Sequence, residues 1–425
     1  MRAFVFLLSY LTWAGFGAHA NGIEPKANVS LWGAGSYRDL VTSPTNPDNQ
    51  VAQIAGETAL LEARPEVGAS LNVLTLALRP RLRITGSQVT AAGVTNTDTA
   101  TETSWSEAFL SLSAHEQISM TYGLQSYQWG PAEAGSPSNR IFRETVRAQD
   151  VLYELKGHHL LRANFTPTQN WSEVALFEIT DNGQAELEAE ERFARKALLK
   201  SELSWGGGAN YAGVVLGARE RRGAWVGEYG SVEIVDGLSA YIDTSHEQGS
   251  LAWYPIVESS GAPTVLSQSK RDDAHINTFA VTGVRYAFES GSDLRAEWVF
   301  QEAGYTTDEV TRAWDAMTSS DPPQAVLAPL NAARWARNGL EFPGRHYALL
   351  SYRLPDAFNT KDWTLYFRAL LSMQDWSSAS YISSENAIGT NGTLFGSLSA
   401  TAGRVDSELR GLVGTAITLG YRYAW

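Results

Sequence analysis

Apolar residues recur at every second position along much of the chain. Ile118, Met120, Tyr122 and Leu124 alternate with Gln117, Ser119, Thr121, Gly123 and Gln125, and Leu74, Leu76, Leu78, Leu82 and Ile84 alternate with Thr75, Ala77, Arg79, Arg81 and Arg83. The same dyad runs through Val284, Tyr286 and Phe288, through Leu294, Ala296, Trp298 and Phe300, and through Trp363, Leu365, Phe367, Ala369 and Leu371. A period of two puts successive side chains on opposite faces of a strand. Segments of about ten residues with one apolar face and one polar face are the pattern of strands that cross a bilayer.

Turn-forming residues punctuate these segments. Tight turns are expected near Arg64 to Gly68, Ser113 to His115, Lys156 to His158, Gly206 to Gly208, Asp236-Gly237, Glu289 to Ser292, Pro355 to Lys361 and Gly389 to Gly392. Longer polar segments at 40–50, 86–102, 129–146, 168–192, 258–274 and 306–344 alternate with them. If each tight turn closes a hairpin at one end, eight turns imply eighteen antiparallel strands; sixteen is the alternative if 379–388 or a segment near 223–245 is loop. The first strand is expected near Asn28, which leaves no room for an N-terminal plug domain.

Composition narrows the class. The 425 residues include 33 Lys and Arg against 46 Asp and Glu, for a formal charge of −13, and no Cys. A disulfide scaffold, a thiolate metal site and a Cys nucleophile are excluded, and the acidic balance argues against nucleic acid as a partner. Met1 to Ala20 reads as a secretory signal: Arg2, an apolar run from Phe4 to Phe16, then Ala18-His19-Ala20. No later stretch reaches the roughly 18 uninterrupted apolar residues of a spanning helix. The expected organisation is therefore a signal peptide over 1–20 and one barrel over 21–425, and the mean hydropathy of −0.21 is the average of two alternating faces.

The last strand identifies the environment. Val413, Thr415, Ile417, Leu419, Tyr421, Tyr423 and Trp425 alternate with Gly414, Ala416, Thr418, Gly420, Arg422 and Ala424, and the chain stops on the final aromatic residue. This segment resembles the C-terminal assembly signal of Gram-negative outer-membrane β-barrel proteins, carried here by Tyr421, Tyr423 and Trp425. The resemblance implies an all-β transmembrane antiparallel barrel in the outer membrane, with short periplasmic turns and long extracellular loops. It further implies lipid and the barrel-assembly machinery as partners. A porin-like channel for small hydrophilic solutes is the function expected of such a barrel, with no cofactor or metal and with a homo-oligomer compatible with its size.

The non-lipid faces of the expected strands carry Arg79, Arg81, Arg83, Lys156, Arg162, Lys200, Arg219, Arg285, Arg295, Arg353, Arg368 and Arg422 against Glu57, Glu107, Glu154, Glu202, Glu228, Asp243, Glu289 and Glu297. The interior is therefore net positive while the whole chain is acidic. A charged wall in a narrow channel concentrates counter-charged solute, so a bias toward anions is expected. Arg79, Arg81 and Arg83 lie on one face roughly 7 Å apart; they can act as a filter, or pair with Glu57 and Glu107 and fill the barrel.

Two loops and one rival class complete the reading. Trp129-Gly130-Pro131 and the following Ser-Pro stretch resemble an element of several porin-like families, and Arg140, Arg143 and Arg147 would line a constriction if this loop folds inward. The long segment 306–344 holds helix-compatible runs at Asp308 to Met317, with Thr307 as N-cap, and at Gln324 to Arg337. A barrel lipase or protease would need a His-based centre, and His246 with Asp243 and Ser250 is the one local grouping of suitable types. A structural or adhesin barrel with a sealed lumen is the third class.

Overall fold

The computed structural model describes residues 23–43, 46–142, 151–180, 193–257 and 261–425. The expected signal peptide, the acidic stretch Glu186 to Glu191, and Arg143 and Arg147 lie outside the described residues. Strands β1 (Ile23–Leu40), β2 (Glu57–Leu71), β3 (Leu74–Ala91), β4 (Val94–His115), β5 (Ile118–Gln125), β6 (His158–Thr168), β7 (Trp171–Thr180), β8 (Lys196–Trp205) and β9 (Asn210–Arg219) form the first half of the wall. The second half is β10 (Ala224–Val235), β11 (Leu238–Gln248), β14 (Ile276–Ala287), β15 (Asp293–Gln301), β16 (His346–Leu354), β17 (Trp363–Ser372), β18 (Ser378–Ile388), β19 (Gly392–Ala402) and β20 (Val413–Ala424). All pair with their neighbours antiparallel, and β1 pairs with β20, so the eighteen-stranded sheet closes on itself.

Closure satisfies the backbone where no water can. In hydrocarbon each unbonded N–H or C=O costs several kcal/mol, which leaves closed barrels as the sheet solution. The seam runs from Ser30 opposite Ala424 to Leu40 opposite Val413, and Trp425 extends it by exchanging both backbone bonds with Val29 at 3.1 Å. Tyr421, Tyr423 and Trp425 face outward there, 42% to 47% exposed.

Eight short connections lie at the end of the barrel that holds this terminus. Five of them fall where the sequence suggests, and the turn expected near Ser113 to His115 sits just beyond, at 116–117. The other two expectations are corrected. Arg64 to Gly68 lies inside β2: Pro65 and Pro80 fall opposite each other in a gap of the β2–β3 ladder, so prolines that read as a turn mark a missing pair of N–H donors. Lys156 to His158 leads into β6 at the opposite end, and the turn of that hairpin is 169–170. The expected loop 86–102 is also strand, continuous on both sides of a two-residue turn in which Ala92 (φ 49°) and Gly93 (φ 76°) are both left-handed, as a primed hairpin turn requires.

The long loops build a cap. Strands β12 (Tyr254–Ile256) and β13 (Val265–Ser267) pair as a hairpin between β11 and β14, and helices α1 (Thr307–Thr318) and α2 (Gln324–Ala336) lie between β15 and β16. The N-cap of α1 is Thr306, one residue before the expected Thr307, in a reciprocal capping box with Glu309. Tyr305, Tyr254, Leu340 and Ala252 bury the junction, and Asn331 of α2 accepts from the Leu266 N–H of β13 at 3.0 Å.

The outward face is the lipid-type face: Leu61, Leu76, Tyr122, Phe177, Leu216, Ile242, Trp298, Leu350, Ile382 and Leu419 are all exposed there. Leu350→Arg, at the middle of β16, is expected to lower stability by about 2–4 kcal/mol in urea refolding into lipid vesicles, with Leu350→Phe close to the parent.

Candidate functional site

The functional space is the lumen, and the segment between β5 and β6 turns into it. Trp129 to Phe142 packs against Leu160, Val174, Leu176, Leu198, Val215, Trp225 and Tyr229, the inward side chains of β6 to β10. Ala134 of the same segment joins a second cluster with Phe279, Val281, Val299, Tyr347, Leu349 and Leu370 of β14 to β17, capped by Phe342 and Leu409 from the long loops. Two arcs of the inner wall thus carry covered apolar clusters. No residue of β19, β20 or β1 to β4 belongs to either cluster.

Two wall carboxylates hold the loop by its backbone. Glu297 of β15 accepts from the N–H groups of Glu133 and Ala134, both at 2.7 Å, and from the Tyr241 hydroxyl at 2.7 Å. Asp243 of β11 accepts from the Ser138 N–H at 2.7 Å and the Ser136 hydroxyl at 3.1 Å. Both carboxylates are buried, where each accepted bond offsets the cost of removing charge from water. Trp129 donates its indole N–H to Ser138 Oγ at 3.0 Å. Gly130, at φ 90°, lies so close to Asp243 that a Cβ would collide with the carboxylate, and a Cβ on Gly227 would come within 2.8 Å of Ser138. Beyond the apolar part, Glu133 accepts from Ser351 Oγ at 2.7 Å and from Tyr366. Arg140 bridges Glu247 at 2.6 Å and Glu341 at 3.4 Å, tying this loop to the cap.

The arginine row lies on β3, outside both apolar clusters, and every member is paired. Arg79 meets Glu107 at 2.5 Å and Glu66 at 3.9 Å, Arg81 meets Glu154, and Arg83 meets Glu62 at 2.9 Å. Arg64 of β2 joins them, 3.1 Å from Glu62 and 3.8 Å from Glu154. Sequence reasoning missed Arg64 and Glu66 because it placed a turn over them, and it left out Glu62, two residues before that turn. It also put Glu57 and Glu228 on the lumen face, whereas their registers with Tyr37 and Val214 turn both outward. The pairs differ in depth: the side chains of Arg79 and Arg83 are 42% and 36% exposed, those of Glu62 and Glu107 only 1% and 8%.

The remaining lumen arginines are spread around the wall. Arg422 donates to Thr393 at 3.0 Å and lies 5.1 Å from the Trp32 ring, which carries Arg64 at 4.1 Å. Arg368 is buried between Tyr366 and Tyr381, and Arg162 stacks on Tyr127 at 4.8 Å. Arg285 and Arg295 share Asp293, and Arg353 is exposed nearest the short-turn end. Asp243 and His246 project to opposite faces of β11: His246 is on the outside, 3.4 Å from Glu228, so the His246–Asp243–Ser250 grouping does not assemble.

Glu62→Gln is expected to cost about 3–5 kcal/mol, because it leaves packed guanidiniums short of their shared carboxylate; urea titration of the folded barrel measures it. Asp243→Asn with Glu297→Gln is expected to release the loop while the barrel stays closed, seen as new protease cleavage within 129–142 with unchanged heat-modifiable gel mobility.

No family model matches the chain, and no curated protein matches its sequence. Its fold is shared with crystal structures of Gram-negative outer-membrane porins of the Occ/OprD type. Acinetobacter baumannii OccAB1 aligns at 10% identity with a TM-score of 0.53, over 94% of this chain and 96% of that one. Pseudomonas aeruginosa OccK2 (OpdF) aligns at 10% and 0.52, over 94% and 97%, and Pseudomonas aeruginosa OprD at 9% and 0.50, over 95% of each. The likeness is one of fold.

Proposed function

We propose that the protein is an outer-membrane channel of a Gram-negative bacterium, passing small hydrophilic solutes by diffusion along the polar arc of its lumen. Met1 to Ala20 would direct export, the seam strand ending at Trp425 would engage the barrel-assembly machinery, and the short turns would face the periplasm. Eighteen strands enclose more than side chains alone fill. The third arc, from β19 through β4, belongs to neither apolar cluster and is lined by charge and by Trp32, with Leu152 and Glu154 of the β5–β6 segment against Arg64 and Arg81.

The observation that carries the finer reading is the unequal depth of the paired charges. Arg79 and Arg83 stand half-exposed above carboxylates that are nearly buried. A passing solute meets the guanidinium edges first, while Glu62 and Glu107 lie behind them. Aligned guanidiniums suit carboxylate or phosphate oxygens, which they bind by paired N–H donors. Glu66, 46% exposed beside Arg79, moderates the field locally. The expected outcome is a modest preference for anions rather than exclusion of cations.

Planar-bilayer recording of the purified barrel tests both levels. Discrete conductance supports the channel, and a sealed membrane excludes it in favour of a structural barrel. Arg79→Gln with Arg83→Gln is expected to shift the reversal potential in a salt gradient toward cations and to slow swelling of proteoliposomes in small organic anions. An unchanged reversal potential would remove the arginines from selectivity.

A further inference from the structure

β4 outruns its neighbour. β5 pairs with it only from Ala108 to His115. From Val94 to Trp105, β4 is bonded on one side, to β3, and among the described residues nothing pairs with its other edge. This free stretch is about 35 Å long at ~3.3 Å per residue, and residues 92–103 are exposed on both faces.

The edge has a defined polarity. The two-residue turn makes Ala91 and Val94 a hydrogen-bonded pair, so bonded and unbonded pairs alternate from there. Thr95, Thr97, Thr99, Thr101 and Thr103 are therefore the residues whose backbone N–H and C=O point away from β3. Two bonds agree with this register. Thr99 N–H turns to its neighbour's Asp98 Oδ1 at 2.8 Å, and Gln88 C=O, on the other strand, points away from β4 to the Gly56 N–H at 3.0 Å. The hairpin is also held from behind: Ala92 N–H donates to Asp48 O at 3.0 Å, and Asn49 Nδ2 to Thr90 O at 3.0 Å.

Exposed edges are usually blunted by Lys, Pro, bulges or brevity. Val94 to Ser104 contains no Lys, Pro or Gly, and threonine, a strong strand former, fills every odd position. Its charges are Asp98 and Glu102, on one face and four residues apart; on β3 the register sets Ser87 opposite Asp98 and Arg83, which pairs with Glu62, opposite Glu102. A second copy would bring the same two carboxylates to the junction, whereas a cationic strand would neutralise them.

We propose that the Val94–Ser104 edge of β4 is a docking edge for an extended cationic peptide segment, which adds to the β3–β4 hairpin as a further antiparallel strand. The outward backbone groups of the five threonines supply the hydrogen bonds, and Asp98 and Glu102 select for Lys or Arg at the facing positions.

The probe is a fluorescent eleven-residue peptide of alternating Thr and Val, with Lys at the two positions facing Asp98 and Glu102. Anisotropy titration against the detergent-solubilised full chain at low salt is expected to give saturable, micromolar binding. N-methylation of the peptide's edge-facing amides, Thr99→Pro, and Asp98→Asn with Glu102→Gln are each expected to weaken it at least about ten-fold. Thr99→Pro removes an outward N–H and leaves the β3 ladder intact, and unchanged gel mobility and unit conductance confirm the fold. Equal binding of the N-methylated peptide, equal binding to the folded Thr99→Pro barrel, or no saturation up to about 1 mM peptide would each overturn the proposal.

Discussion

The β1–β20 seam is the contact on which everything else in this molecule depends. A sheet in hydrocarbon has no stable edge, so eighteen strands are worth having only if the last one finds the first. Here the first and last strands pair from Ser30 to Leu40 with one register shift, and Trp425 closes the ladder with both of its backbone groups. Once closed, the wall gives each residue one of two surroundings. Odd and even positions along a strand become lipid and lumen, and the alternation that looks like modest average hydropathy becomes two chemically distinct surfaces.

Closure creates a space, and the inward loop decides how much of it stays open. Glu297 and Asp243 are placed on strands β15 and β11 so that their oxygens receive backbone N–H groups from a segment more than one hundred residues away in sequence. Buried carboxylates are costly unless fully bonded, which makes the seated loop and the charged wall residues mutually dependent. The apolar clusters on either side then fill the lumen from two directions. On the arginine row Arg79 and Arg83 stand further out than Glu107 and Glu62, while Arg81 lies deeper than its partner Glu154. The same β5–β6 segment also reaches the arginine row, where Leu152 accepts from Arg64 at 3.2 Å and Glu154 pairs with Arg81.

The long β3–β4 hairpin follows a different rule. From Ala108 to His115 β4 lies between two partners, and before Ala108 one edge of β4 has no strand partner among the described residues. Water can satisfy the backbone groups of such an edge, so it is tolerated outside a bilayer and not within one. Its carboxylates, threonines and anchored base make it an ordered surface rather than a loose connection.

The class of fold was legible because period-two patterning depends only on which face of a strand a residue occupies, and that is local. Strand number followed from counting turns, and the shared face of Arg79, Arg81 and Arg83 follows from their spacing of two. What failed was punctuation. Pro65 and Gly68 looked like a turn because the sequence cannot show that Pro80 lies opposite, where a missing donor costs little. The polar, threonine-rich run 86–102 looked like a loop because both its faces meet water, so it lacks the apolar stripe by which strands are found. The sequence alone determined the alternation, the barrel and the identity of the charged residues, since these rest on neighbours one or two positions apart. Tertiary structure alone decided that Glu62, Arg64 and Glu66 join the arginine row, that Glu133 and Ala134 sit on Glu297, and that Arg79, Arg81 and Arg83 each meet a carboxylate. Those contacts depend on register between distant strands, and a shift of one residue would send every one of those side chains to the opposite face.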